Sequence, residues 1–172
     1  MEAHAAGGTI TAAAHGTYTQ SAEAQEIVIR IEPTGISEPY DTFGIVYGTT
    51  VPEGFTIKGF VTSNTAYPIT TGHYNVDESE YGTQNYGKLN YATSDSEATI
   101  PANTYYDVVL IAPANASGNY TVKFNKVIIT NDYGGNFLAS VEEVSATFTI
   151  EPSGSSEPVS YTHLTLPTMA VV

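Results

Sequence analysis

The sequence predicts an all-β protein, a two-sheet β-sandwich of about nine strands. Short runs of residues place apolar side chains at every second position, and clusters of glycine, proline and asparagine separate these runs. No convincing helix is present, because the longest candidate, residues 140–145, is short and runs into a strong strand pattern. Many short strands at regular spacing are typical of a sandwich.

The strands follow in chain order. Residues 27–31 place Ile27, Ile29 and Ile31 on one face, and Pro33 to Gly35 then turn the chain. Residues 42–47 alternate Phe43, Ile45 and Tyr47 with Thr42, Gly44 and Val46. Further strands are predicted at residues 55–61, 88–94, 105–111, 120–130 and 137–150, the last ending in an alternation of Ala146, Phe148 and Ile150.

The length and the two ends favour one domain. A chain of 172 residues holds one well-buried domain plus tails. Residues 152–158 are rich in proline, serine and glycine and read as a linker, which implies a longer parent protein. Residues 159–168 resemble a translated sequencing adapter, so we treat 159–172 as a non-native tail. Residues 1–7 are predicted to be a disordered or truncated start.

Charge and composition exclude several functions. The chain carries 18 acidic and 5 basic residues, a formal net charge of -13, so it repels nucleic acid and anionic membranes. It has no cysteine, which excludes disulfides and thiolate metal sites. No apolar run of about 18 residues and no signal-peptide pattern is present, so we expect no membrane insertion and an export signal upstream of this fragment.

Five motifs follow in a fixed order in the second half: Gly-Lys-Leu-Asn-Tyr at residues 87–91, Thr-Ile-Pro-Ala-Asn-Thr at 99–104, the run 108–120, Asn-Asp-Tyr-Gly-Gly-Asn-Phe-Leu at 131–138 and Ala-Thr-Phe-Thr-Ile-Glu at 146–151. This order resembles that of a bacterial cohesin, the module of cellulosome scaffoldins that binds dockerins. The first half matches through residues 8–11, 22–29 and 35–47. The resemblance covers residues 8–151 and implies jelly-roll topology.

This sequence departs from the cohesin pattern in two places. Tyr47 is followed by Gly48, where cohesins commonly carry an aspartate, and an aromatic-rich insertion occupies residues 74–86. Both differences bear on the type of cohesin and on its dockerin specificity more than on the fold.

The resemblance implies a non-catalytic interaction module of an extracellular scaffold, secreted or displayed on a bacterial cell surface. In the family, a calcium-loaded dockerin docks on the sheet formed by the third, fifth, sixth and eighth strands, so we expect a monomeric module without a cofactor of its own, the calcium being bound by the partner. Carried over onto this sequence, the partner-binding residues are Thr42, Gly44, Val46, Asn90, Ala92, Ser94, Asp95, Leu138 and Ser140.

Two other readings stay open. The same sandwich serves carbohydrate-binding modules, for which Tyr74, Tyr81 and Tyr86 offer an aromatic patch, although tryptophan is absent. An Ig-like spacer or adhesin domain would carry the same linker. An enzyme is not expected, because the histidines are scattered and the acidic groups at residues 77–80 and 95–97 lie in predicted loops. The run Asn131 to Asn136 reads as a hairpin turn.

Overall fold

The chain is a two-sheet β-sandwich. A computed structural model describes residues 7–63, 70–72, 88–92, 100–102, 104–131 and 136–154. The regular elements of these residues are ten strands: β1 Thr9–Ala14, β2 Tyr18–Thr19, β3 Gln25–Thr34, β4 Thr42–Thr50, β5 Thr56–Thr62, β6 Thr70–Gly72, β7 Lys88–Ala92, β8 Tyr106–Ala112, β9 Gly118–Asn131 and β10 Asn136–Glu151. The prediction of an all-β chain of about nine strands is confirmed.

The two sheets have the connectivity of a jelly roll. One sheet has four strands in the order β1-β3-β8-β5, and the other has six in the order β2-β10-β9-β4-β7-β6. All pairings are antiparallel except that of β2 with β10, which is parallel and joins Tyr18 to Ile150. The paired strands are far apart in sequence, so the register places distant segments side by side.

Period-two alternation explains the inner faces. On β3, Ile27, Ile29 and Ile31 are fully buried, as their spacing predicts, because successive side chains of a strand point to opposite sides of the sheet. Phe43 and Ile45 on β4 are buried in the same way. Each such side chain contributes about 1.5–3 kcal/mol when it leaves water.

Aromatic rings fill the space between the sheets at both ends of the core. Phe43 lies between Tyr40 and Tyr106, with ring centroids 6.0 and 4.7 Å away in edge-on geometry. Phe148 lies 5.9 Å from Phe55. These edge-on pairs stabilise the core beyond their buried area.

The segment before β1 pairs with one edge of the larger sheet, at β10. The Gly8 amide donates a hydrogen bond to the Leu138 carbonyl (3.2 Å), so the residues before β1 lie along the first half of β10. The strands extend from Thr9 to Glu151. Residues 1–6 and 155–172 lie outside the described residues, so the predicted truncated start and non-native tail stay predictions.

Candidate protein-interaction face

The outer side of the six-stranded sheet carries most of the predicted binding residues. Phe43, Ile45 and Ile129 point into the core, so their neighbours face away from it. We call the surface of Thr42 and Gly44 on β4, Ile128 and Thr130 on β9, and Phe137 and Ser140 on β10 the outer sheet face.

Strand pairing arranges this face, together with Asn90 and Ala92 of β7, in two rows across four strands. In the first row, Asn90 of β7 lies opposite Gly44, Gly44 opposite Ile128, and Ile128 opposite Ser140. With strands about 4.8 Å apart, the row is about 14 Å long. The register thus brings together three predicted residues, Gly44, Asn90 and Ser140, that lie far apart in sequence.

The second row runs parallel to the first. It leads from Ala92 to Thr42, then to Thr130 and Phe137. Thr130 is buried and its hydroxyl donates to Oδ1 of Asp41 at 3.1 Å. Two further predicted residues, Thr42 and Ala92, therefore lie beside the first row.

The exposed residues of the face lie on β10. Gly44 and Thr130 are buried, Thr42 and Ile128 are half-buried, and Phe137 and Ser140 are exposed. Among the residues of this face whose burial the structure describes, those on β10 are therefore the most accessible to a partner.

The expectation that Leu138 points outward on this face is wrong. Leu138 is only 8% exposed and belongs to the hydrophobic core. The reason is a register shift between Phe137 and Ala139, a β-bulge that breaks the alternation counted back along β10. Phe137 is exposed to 47% instead, so it supplies the apolar side chain that was expected from Leu138.

For the other predicted binding residues, the structure describes the backbone alone or lacks the residue among those it describes. Val46 lies in β4 within a second register shift, between Ile45 and Gly48, and its side chain is outside the description, as are those of Asn90 and Ala92. Ser94 and Asp95 lie outside the described residues altogether, as do the tyrosines Tyr74, Tyr81 and Tyr86.

The sequence prediction missed the contribution of β9. Ile128 and Thr130 lie between the predicted residues of β4 and β10, but the run Val127 to Ile129 is continuously apolar and gives no alternation to follow. The signal that could have found them is the position of β9 between β4 and β10. This order depends on pairing between distant segments and is not visible in a local pattern.

A kink divides the outer side of the sheet. Lys126 has a φ of 52°, a backbone conformation that residues other than glycine rarely adopt. It lies level with the register shift between Ile45 and Gly48 of β4. Between the buried Phe124 and Val127, two residues replace the single outward one of a regular strand. Beyond the kink the exposed side chains are polar: Asn119, Thr121, Lys123, Ser145, Thr147 and Thr149.

Two ion pairs connect β9 and β10 on this side of the sheet. Lys123 lies 3.8 Å from Glu143 and Lys126 lies 3.8 Å from Glu142. The Lys126 side chain is 27% exposed and its three counterparts are more exposed, so each pair contributes little to stability.

The described residues offer no metal-binding cluster. No group of three or more histidine, cysteine, aspartate or glutamate side chains that could hold a metal ion occurs among them. His15 is exposed, while His4 and His73 are outside the described parts of the chain. Burial, and secondarily Tyr40, raises the pKa of Tyr106 well above its usual value, which keeps this core hydroxyl protonated. No helix long and apolar enough to span a membrane occurs in the same residues.

Comparison with known proteins gives a clear answer for the fold. No family model and no curated protein matches the sequence. Among solved structures, a cohesin in a type I cohesin–dockerin complex from Clostridium thermocellum matches with a TM-score of 0.57 and 9% identity, over 88% of this chain and 99% of that one. The chain has the cohesin fold.

Two further matches support this assignment. The sixth cohesin of scaffoldin B from Acetivibrio cellulolyticus, in complex with a dockerin, has a TM-score of 0.55 and 11% identity over 83% of this chain and 99% of that one. A cohesin module from a family 33 glycoside hydrolase of Clostridium perfringens has a TM-score of 0.53 and 14% identity over 83% and 97%. The cohesin resemblance predicted from the motifs is thus confirmed for the fold.

Proposed function

We propose that this cohesin-fold chain is a non-catalytic interaction module that binds a calcium-loaded dockerin through the outer sheet face. The observation that carries the proposal is the row Asn90–Gly44–Ile128–Ser140, which forms one continuous strip from four strands. Cohesins of the same fold are known in complex with dockerins. The predicted residues Val46, Ser94 and Asp95 belong to the proposed surface by their position in the sequence.

The chemistry of the strip suits a protein partner. Gly44 is buried and adds no side chain to the strip, Ile128 is an apolar contact, and the Ser140 hydroxyl both donates and accepts hydrogen bonds at the exposed end. Such a mixture of small, apolar and polar groups is typical of a protein interface.

The overall charge favours a basic partner. The chain has a net charge of -13, and each of the four cations whose side chains are described is paired with a carboxylate of the same chain. The remaining negative potential accelerates association with a basic docking surface more than it strengthens the complex.

The same proposal covers the biological setting. The module is monomeric, needs no cofactor of its own and belongs to a longer bacterial protein that is secreted or displayed on the cell surface. Its binding delivers or anchors the protein that carries the dockerin.

The test is calorimetric titration of the full chain with a panel of dockerins, with calcium and with a chelator. The blocking variants are Gly44→Arg and Ser140→Arg. Gly59→Arg is the matched control, because Gly59 lies on the other sheet and a Cβ built there meets no atom within 4 Å.

We expect tight binding that the chelator abolishes, that both blocking variants weaken at least tenfold, and that Gly59→Arg leaves unchanged. Ser140 is exposed, so Ser140→Arg blocks the face without disturbing the core even if Gly44→Arg unfolds the chain. Absence of binding across a broad panel would contradict the proposal and favour a spacer, an adhesin or a carbohydrate-binding module.

A further inference from the structure

A small pocket lies at the β10 edge of the outer sheet face. It has a volume of about 140 Å³ and opens between the start of β10 and the connection from β3 to β4. Its lining includes the apolar residues Ile36, Phe137 and Leu138, the glycines Gly8 and Gly35, and the acidic residue Glu38.

Two glycines are needed to build this pocket. A Cβ on Gly8 would collide with the side chain of Ile36 and would lie 3.1 Å from the Leu138 carbonyl oxygen. Gly35 has a φ of 76°, which side chains disfavour. The close approach of these backbone segments leaves a concave site lined by apolar side chains on one side.

Phe137 connects the pocket to the outer sheet face. It lines the pocket and also pairs with Thr130, so it ends the second row of that face. Of the described residues, Phe137 and Val61 are the large apolar side chains most exposed to solvent, and Val61 lies on the other sheet. An exposed aromatic ring beside a pocket is a common anchor of a protein interface.

Glu38 gives the pocket a charge preference. Its carboxylate is exposed and makes no ion pair or hydrogen bond with the described residues, where Arg30, Lys58, Lys123 and Lys126 each pair with another acidic side chain. An occupant with an apolar stem and a positive end would match both the apolar lining and the Glu38 carboxylate. Lysine and arginine are the two side chains of that kind.

We infer that this pocket receives a lysine or arginine side chain of the dockerin, with its methylene stem against Ile36 and Phe137 and its cation at Glu38. The inference rests on the proposed function and adds a determinant of partner choice to it. The pocket adjoins the exposed β10 residues of the face, so a partner lying on the two rows reaches it.

The experiment uses the full chain and a dockerin that the wild-type chain binds, with dissociation constants measured at two salt concentrations. Phe137→Ala and Glu38→Gln are compared with Val61→Ala and Glu53→Gln, which alter an exposed apolar and an exposed acidic residue away from the pocket. We expect Phe137→Ala to weaken binding about 30-fold, as for an interface anchor. Glu38→Gln should weaken it about fivefold and reduce its salt dependence.

A double-mutant cycle identifies the partner side chain. Each lysine and arginine of the dockerin is changed to glutamine and tested against wild type and Glu38→Gln, and one of them should lose its effect when Glu38 is absent. Equal affinities of the pocket variants and controls, or strict additivity for every cation, would overturn the pocket inference while leaving the proposed function intact. A wild-type chain that binds no dockerin would overturn both.

Discussion

Tyr106→Phe should stabilise the protein. The ring of Tyr106 is 3% exposed and packs 4.7 Å from Phe43, but its hydroxyl has no hydrogen-bond partner among the described residues. An unsatisfied buried hydroxyl costs about 1–3 kcal/mol. Removing the oxygen leaves a cavity that costs about 0.3 kcal/mol. The net gain in the free energy of unfolding is therefore about 1 kcal/mol.

Tyr40→Phe is the matched comparison, with the opposite sign expected. The Tyr40 hydroxyl is also buried but donates a hydrogen bond to the Thr104 carbonyl at 3.0 Å. Its loss should lower the free energy of unfolding by about 1–2 kcal/mol. Urea denaturation of the two variants and the wild type measures both values, and the Tyr106→Phe gain corresponds to about 3 °C in Tm for a domain of this size.

High pH provides a second reading of the same residue. A tyrosine in the unfolded chain ionises near pH 10, and burial raises the pKa of Tyr106 in the folded chain well above that. This pKa difference leaves the free energy of unfolding unchanged below about pH 10. Above that, the free energy of unfolding falls as the pH rises toward the folded pKa, because the unfolded chain releases the proton first. Tyr106→Phe should remove this part of the pH dependence. If Tyr106→Phe is destabilised as much as Tyr40→Phe, the reasoning is refuted, because the Tyr106 hydroxyl would then have a hydrogen-bond partner.

Two further predictions concern the sandwich. Arg30→Lys should lower the free energy of unfolding, measured by urea denaturation, by about 1 kcal/mol. Lysine keeps the charge but loses the two hydrogen bonds to Asp107 (2.9 and 3.1 Å) and the stacking of the guanidinium over the Tyr105 ring at 4.0 Å. An unchanged denaturation midpoint would contradict this prediction. Phe148→Ala should cost about 3–5 kcal/mol, since this 6% exposed ring fills the core beside Phe55. A loss below 1 kcal/mol would mean that the core closes around the gap.

Much of the fold was predictable because strand formation leaves a local record. The alternation of Ile27, Ile29 and Ile31 identifies a strand with one buried face, and the structure places all three in the core. The alternation ending at Ile150 is equally local and is also confirmed. The predicted run at residues 42–47 lies within β4, which continues to Thr50 because pairing with β9 extends it beyond the alternating segment.

The candidate site was predictable only in part, because its geometry depends on which strands are neighbours. Gly44, Asn90 and Ser140 were proposed from a motif order, and the register places them in one row. The insertion of Ile128 between two of them follows from the position of β9, which no local pattern states. The outward orientation expected for Leu138 was wrong, because a single bulged residue exchanges the two faces of a strand.

The sequence by itself determined the class of this protein, a sandwich of short strands with an acidic surface, since side-chain alternation and net charge are properties of the chain. The tertiary structure alone decided which residues lie together at the edge of β10. The bulge that exposes Phe137, and the approach of Gly8 and Gly35 that opens a pocket beside it, depend on contacts between segments that are distant in sequence. Loop closure and strand pairing set these contacts, and local residue preferences carry little information about either.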